Sequence, residues 1–269
     1  MKLANTKALS TLGLAGLLLA LSTTAQAQAF DAFRNYGAKI NEDGGTMGAG
    51  AFYGNKYRGS KDQEWRVLPL LDYRWANGFF AGTRNGLGYD FSRSEGEQYG
   101  LRITADLGRD ETDNPRLTGL GDIQIRPEIG GFFNYSLGQG LSFTSSLRYG
   151  SGNDRKGLVA DLGLSYFRPL TQQLYLGFGG GLTVVNSSYM QEYFGVSSAQ
   201  AASSGLKATE AKAGVRDVRA NVLLSYYLSQ RMGVSFGLSA SQLQGDAKNS
   251  PVTEKSTSVS ALGGFSYTF

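Results

Sequence analysis

The chain contains no cysteine and no histidine. Without thiols it forms neither disulfides nor thiolate metal sites. Without imidazole it lacks the base of Ser-His and Cys-His nucleophilic catalysis and the ligand of His-bound zinc. Those classes of catalysis and metal binding are therefore not expected, no pair of carboxylates is singled out for acid/base work, and no cofactor or other metal site is expected. Proline is scarce too, with 5 residues against 38 glycines and 15 tyrosines, a balance suited to short turns, close packing and interfacial aromatics. Beyond the N-terminus no apolar run approaches the roughly 20 residues of a transmembrane helix, and the mean hydropathy of -0.24 is mildly polar. The remaining choices are a soluble periplasmic protein, a secreted one, or a protein inserted as strands.

The N-terminus favours export. Lys2 and Lys7 form a basic region, residues 11–21 an apolar run too short to span a bilayer, and Ala25-Gln26-Ala27 or Ala27-Gln28-Ala29 a small-x-small cleavage pattern. Residues 1–27 read as a signal peptide cut after position 27 or 29, so that the mature chain starts at Gln28 or Phe30. The formal charge is +4, with 26 basic and 22 acidic residues; loss of Lys2 and Lys7 leaves 24 against 22, or +2. No nucleic-acid partner is inferred from so small an excess.

The remainder alternates with period two. In residues 123–135, Ile123, Ile125, Ile129, Phe133 and Tyr135 oppose Gln124, Arg126, Glu128 and Asn134. Equivalent faces recur in residues 101–107, 141–149, 158–166, 217–228 and 232–241, and residues 258–269 alternate up to a terminal Phe269. A strand with an apolar and a polar face suits lipid on one side and a wet lumen on the other, provided that the sheet closes and pairs every backbone group. Short turns near Asn77, Glu95, residues 137–140, 171–173 and 229–231 belong to the periplasm, and longer segments at 54–64, 108–121, 150–157, 187–214 and 244–257 to the outside. Residues 79–93 are split by a tight outer turn at Arg84-Asn85-Gly86. The expected fold is an all-β, antiparallel, up-and-down transmembrane barrel of twelve strands over residues 44–269, preceded by a periplasmic segment, residues 28–43. Trp65, Tyr73, Trp75, Phe79, Phe80, Tyr89, Phe91, Tyr149, Tyr166, Tyr226, Tyr227 and Tyr267 are the expected girdle aromatics.

The expected lumen charges carry both signs: Arg66, Asp72, Arg74, Arg102, Asp106, Arg126, Glu128, Arg148, Asp161, Asp217 and Arg219. Mixed signs favour an internal ion-pair network over a selectivity lining, whose signature is a ring of one sign. Gly177-Phe178-Gly179-Gly180-Gly181 has no helix after it and so fails as a phosphate loop; it reads as closely packed strand backbone or as a lumen surface cleared of side chains. Asp110-Glu111-Thr112-Asp113-Asn114 lacks the spacing of a calcium loop and reads as a solvated outer loop, with divalent bridges to lipopolysaccharide as one use.

Gly48-Ala49-Gly50 through Tyr57-Arg58-Gly59-Ser60, Leu68-Pro69-Leu70 and residues 73–80 resemble the opening of the MipA/OmpV family of MltA-interacting outer-membrane proteins. Gly119-Leu120-Gly121-Asp122, Tyr193-Phe194-Gly195-Val196, residues 214–217, Gly245-Asp246-Ala247 and Asn249-Ser250-Pro251 are similar to its later motifs, in order. The resemblance implies a non-enzymatic barrel of the Gram-negative outer membrane, in contact with lipid and lipopolysaccharide. It further implies a scaffold linking a lytic murein transglycosylase with a penicillin-binding protein. Such a scaffold needs a periplasmic docking surface, for which Phe30, Phe33 and Tyr36 are candidates, a mobile terminus or a lumen plug being the other readings of their segment. A small-solute channel and a surface adhesin using the outer loops are the alternative functions.

Overall fold

The computed structural model describes residues 28–33, 41–94 and 96–269. The signal-peptide reading of residues 1–27, and Tyr36, lie outside the described residues. Twelve antiparallel strands form a closed barrel in which each strand pairs with its sequence neighbours and β1 with β12. They are β1 (Gly44–Asn55), β2 (Gln63–Arg74), β3 (Phe79–Gly82), β4 (Gly86–Asp90), β5 (Glu97–Asp106), β6 (Arg126–Gly138), β7 (Leu141–Ser151), β8 (Gly157–Pro169), β9 (Leu174–Val185), β10 (Gly214–Tyr227), β11 (Met232–Leu243) and β12 (Thr257–Thr268). Closure runs from Thr46 opposite Thr268 to Tyr53 opposite Ala261, and Gly45 and Phe269 exchange two further backbone hydrogen bonds of 3.1 and 3.0 Å.

The alternation places its two faces as the sequence reading requires. Val67, Leu101, Ile129, Leu164, Phe236 and Val259 are exposed outward, whereas Arg102, Glu128, Arg148, Asp161 and Asp217 are buried inward. Apolar atoms turned outward on all sides are a liability in water and a requirement in hydrocarbon. Aromatics form a belt at the end of the short turns, including Tyr73 on Trp75 at 4.9 Å and Phe79 on Tyr89 at 4.8 Å between ring centres.

Three expectations need correction. Phe80 is not a girdle residue: it faces inward, 4% exposed, and its ring packs on Phe132 at 5.8 Å. Tyr227 lies on the lumen face of β10, in the register of Asn221 and Ser225, with its ring 5.4 Å from Tyr175. Ile123 does not belong to β6, which begins at Arg126. A bridge to Arg109 holds Ile123 above the strand, and its side chain is buried among the outer loops.

The tight turn at Arg84-Asn85-Gly86 separates β3 from β4, with Gly86 at a φ of 77° that few side chains tolerate. These two strands are short, so β2 pairs with β3 only over Asp72–Arg74, extended by a Thr83 to Leu71 backbone bond. Pro69, which has no N–H to offer, falls where β2 pairs with β1 alone among the described residues.

The longer connections fold into a cap over one mouth. It includes helices α1 (Ser187–Phe194), α2 (Ser198–Ser204) and α3 (Gly245–Asn249). Asn186 caps α1 by accepting from the Tyr189 N–H, and Ser197 with Gln200 forms a capping box on α2. Tyr189, Met190, Tyr193 and Phe194 of α1 share a core with Ile123, Ala211 and Ala247, while Leu117, Leu120, Val196, Val252 and Tyr57 form a second. The cap is thus a packed layer built from four connections of the barrel.

Candidate functional site: the charged lumen

The pleat directs every second residue of β6 to β10 into the lumen, where water is scarce and a charge needs a partner. Five of these residues, joined by Arg216 of β10, form a ladder of alternating sign. Glu128 accepts from Arg148 at 2.9 Å; Arg148 also reaches Asp161 at 2.8 Å; Asp161 lies 3.7 Å from Arg219; Arg219 donates to Asp217 at 2.5 Å; and Asp217 accepts from Arg216 at 2.6 Å. On β9, which supplies no charge, Thr183 donates to Asp161 at 2.7 Å and accepts from Arg219 at 2.6 Å. The ladder therefore crosses five consecutive strands with three carboxylates and three guanidinium groups. Thr104 supports Glu128 from β5 at 3.1 Å, and Ser151 supports it from the end of β7.

The other expected lumen charges are distributed outside this ladder. Arg74 and Asp90 form a second buried pair at 2.6 Å across β2 and β4. Asp72 bonds Arg84 at 2.7 Å near the tight turn, and Arg66 pairs with Glu64 at the cap end of β2. Arg102 donates to Ser146 at 2.8 Å. Asp106 serves the cap, accepting from the Tyr193 hydroxyl at 2.6 Å and the Gly152 N–H at 3.1 Å. Arg126 stands opposite Asp106 in the β5–β6 register.

Arg216, only 1% exposed, was not among the expected lumen residues. Strict alternation puts it on the lipid face, between Val215 and Asp217. The pairing of β10 with β9 slips there, Val215 facing Val184 and Asp217 facing Thr183, and the extra residue of this bulge turns inward. Its only sequence signal is an arginine at a position that should meet lipid. Arg216 continues the ladder to the cap, donating to the Tyr189 hydroxyl at 2.8 Å.

The lumen also holds residues 28–33, a helical turn packed against β7 to β11. Phe30 lies against Gly237, Ala32 against Gly163 and Gly179, and Phe33 against Gly179 and the Phe167 ring, 5.1 Å away. A Cβ at Gly179 would come within 3.0 Å of Phe33 and 3.1 Å of Ala32. The glycines clear the wall for this turn, so Phe30 and Phe33 have the contacts of a lumen plug. Where the cap meets the barrel, a cavity of about 310 Å³ is bounded by Phe52, Arg58, Arg109, Tyr193 and Ser258, among others. Among the described residues no group of three or more Asp, Glu, His or Cys is arranged to hold a metal ion.

A closed antiparallel barrel, apolar outside and charged within, defines the class of transmembrane β-barrels. The chain belongs to the family of MltA-interacting protein MipA, whose model matches residues 47–269. Among solved structures it is similar to the NanC porin, at 11% identity and a TM-score of 0.50, over 82% of this chain and 98% of that one. It is also similar to the KdgM porin, at 13% identity and a TM-score of 0.44, over 83% and 99% of the two chains. The Pseudomonas putida toluene transporter TodX matches at 10% identity and a TM-score of 0.43, over 93% and 92%. No curated protein matches the chain.

Proposed function

We propose that the protein is a non-catalytic barrel of the Gram-negative outer membrane that scaffolds murein-processing enzymes and does not conduct solutes. The observation that carries this reading is the neutrality of the ladder from Glu128 to Arg216. Buried charges that satisfy one another act as interior filling, whereas a selective conduit presents one sign to the passing solute. The turn carrying Phe30 and Phe33 adds bulk to the same lumen. The outward apolar band is the surface offered to lipid, and the cap lies at lipopolysaccharide level.

The family name supports a partner of the lytic murein transglycosylase class, and a penicillin-binding protein is the second enzyme such a scaffold would join. Docking falls to the mouth opposite the cap. Phe30, Phe33 and Tyr36 are its candidates, with Phe30 and Phe33 available to a partner only if the turn leaves the lumen. Affinity capture of the tagged full chain from cross-linked envelopes tests the reading. Both enzyme classes are expected in the eluate and are expected to be lost when residues 30–43 are deleted; recovery of neither overturns the scaffold role.

A further inference from the structure

The cavity between cap and barrel does not share the neutrality of the ladder. Arg216 and Arg219 on its boundary are balanced through Asp217 and Asp161, and Arg66 through Glu64. Lys56, Arg109 and Lys255 also line it, and none of the three has a carboxylate within ion-pair distance among the described residues. The remaining acids of the lining, Asp110 and Asp113, are exposed to solvent, and one Asp110 oxygen is occupied by the Thr112 N–H and hydroxyl at 2.8 and 2.6 Å. Apart from Asp217, which is paired with Arg216 and Arg219, the negative charge of the lining is at the wet rim, where it is screened, while unpaired positive charge reaches the buried wall.

Arg109 is the sharpest element of the wall. It is 9% exposed, its Nη1 donates to the Tyr193 carbonyl at 2.9 Å, and its Nε has no hydrogen-bond partner. Burial depresses its pKa below the usual arginine range, partly offset by the surrounding tyrosines and Glu192. A guanidinium held in this way gains from an anion that restores the lost solvation. The lining also includes Ser241, Ser256, Ser258 and Ser260, neutral hydroxyls suited to a polyhydroxylated ligand. The volume of about 310 Å³ is at the small end of ligand sites.

We propose that this cavity binds a small hydroxylated anion, a sugar acid or sugar phosphate, entering past the exposed Lys255. Such a site needs no open channel below it. Isothermal titration of the purified full chain in lipid nanodiscs, with glucuronate, glucose 6-phosphate, glucose and inorganic phosphate, tests the assignment. Both sugar anions are expected to bind at least about tenfold more tightly than glucose and than inorganic phosphate, a difference of about 1.4 kcal/mol, and to weaken as salt is raised. Arg109→Gln and Lys255→Gln are each expected to weaken both sugar anions. Lys255 is an exposed rim residue, so its variant keeps the test valid if Arg109→Gln fails to fold. Failure of both sugar anions to bind, equal binding of glucose or of phosphate, or unaltered affinity in Lys255→Gln overturns the proposal.

Discussion

Arg216 of the β10 bulge donates a 2.8 Å hydrogen bond to the hydroxyl of Tyr189 in α1, joining the lumen ladder to the cap. The guanidinium also lies 5.4 Å from the centre of the Tyr189 ring. Tyr189→Phe retains the ring and removes the acceptor, so its expected cost is that of a charge-assisted hydrogen bond, about 1.5–3 kcal/mol. Urea unfolding of the folded barrel in vesicles measures this cost. Faster protease cleavage within residues 186–213 is expected alongside it, and unchanged values for both would show that the cap stands independently of the ladder.

Arg148 holds two carboxylates at once, Glu128 at 2.9 Å and Asp161 at 2.8 Å. Arg148→Met leaves both without their principal cation in a buried site, and a loss of about 3–5 kcal/mol is expected. Glu128→Gln in the Arg148→Met background should recover part of that loss, because one stranded charge is removed. A double-mutant cycle by urea unfolding reads this coupling; strict additivity would mean that the two residues do not interact.

Gly179 tests the seat of the N-terminal turn. Its missing Cβ leaves room for Phe33 and Ala32, so Gly179→Val should displace residues 28–33 while the outward face of the barrel is untouched. A spin label at Phe33→Cys should change from immobile to mobile in the Gly179→Val background, with heat-modifiable migration on gels retained. A label equally immobile in both backgrounds would place the turn elsewhere.

Two cap tyrosines should titrate late. Tyr57 and Tyr193 are both held above the ordinary value of 10.0, first by burial and then by Glu254 and Asp106 respectively. A group whose folded pKa is raised contributes stability that is complete below its unfolded pKa and is lost as pH climbs toward the folded one. The cap is therefore expected to be stable to pH about 10 and to loosen above it. Tyrosinate absorbance should show Tyr57 and Tyr193 ionising only above the ordinary value of 10.0, together with protease sensitivity of the cap. Tyr57→Phe should remove one of them.

Strand number, closure and sidedness were legible because the lipid and the lumen select opposite residue types at every second position. The split at Arg84-Asn85-Gly86 could be placed because a tight turn leaves a local glycine signal. Most of the lumen charges followed from the same parity. What alternation cannot carry is a change of register: Arg216 moved inward because a bulge inserts one residue, and Ile123 left its strand because a bridge to Arg109 held it in the cap. Phe80 kept its parity but was placed in the girdle on residue type alone. Partnerships such as Arg219 with Asp161, and the seat of Phe33 on Gly179, join distant segments and have no local sequence pattern.

The most direct test of a neutralised, occupied lumen is single-channel recording of the full chain in planar bilayers. The account predicts no reproducible open steps at moderate voltage, and their emergence when residues 28–33 are deleted together with Arg148→Met. Stable ohmic steps from the unaltered protein, shifted in ion selectivity by Arg219→Ala or Glu128→Ala, would contradict it.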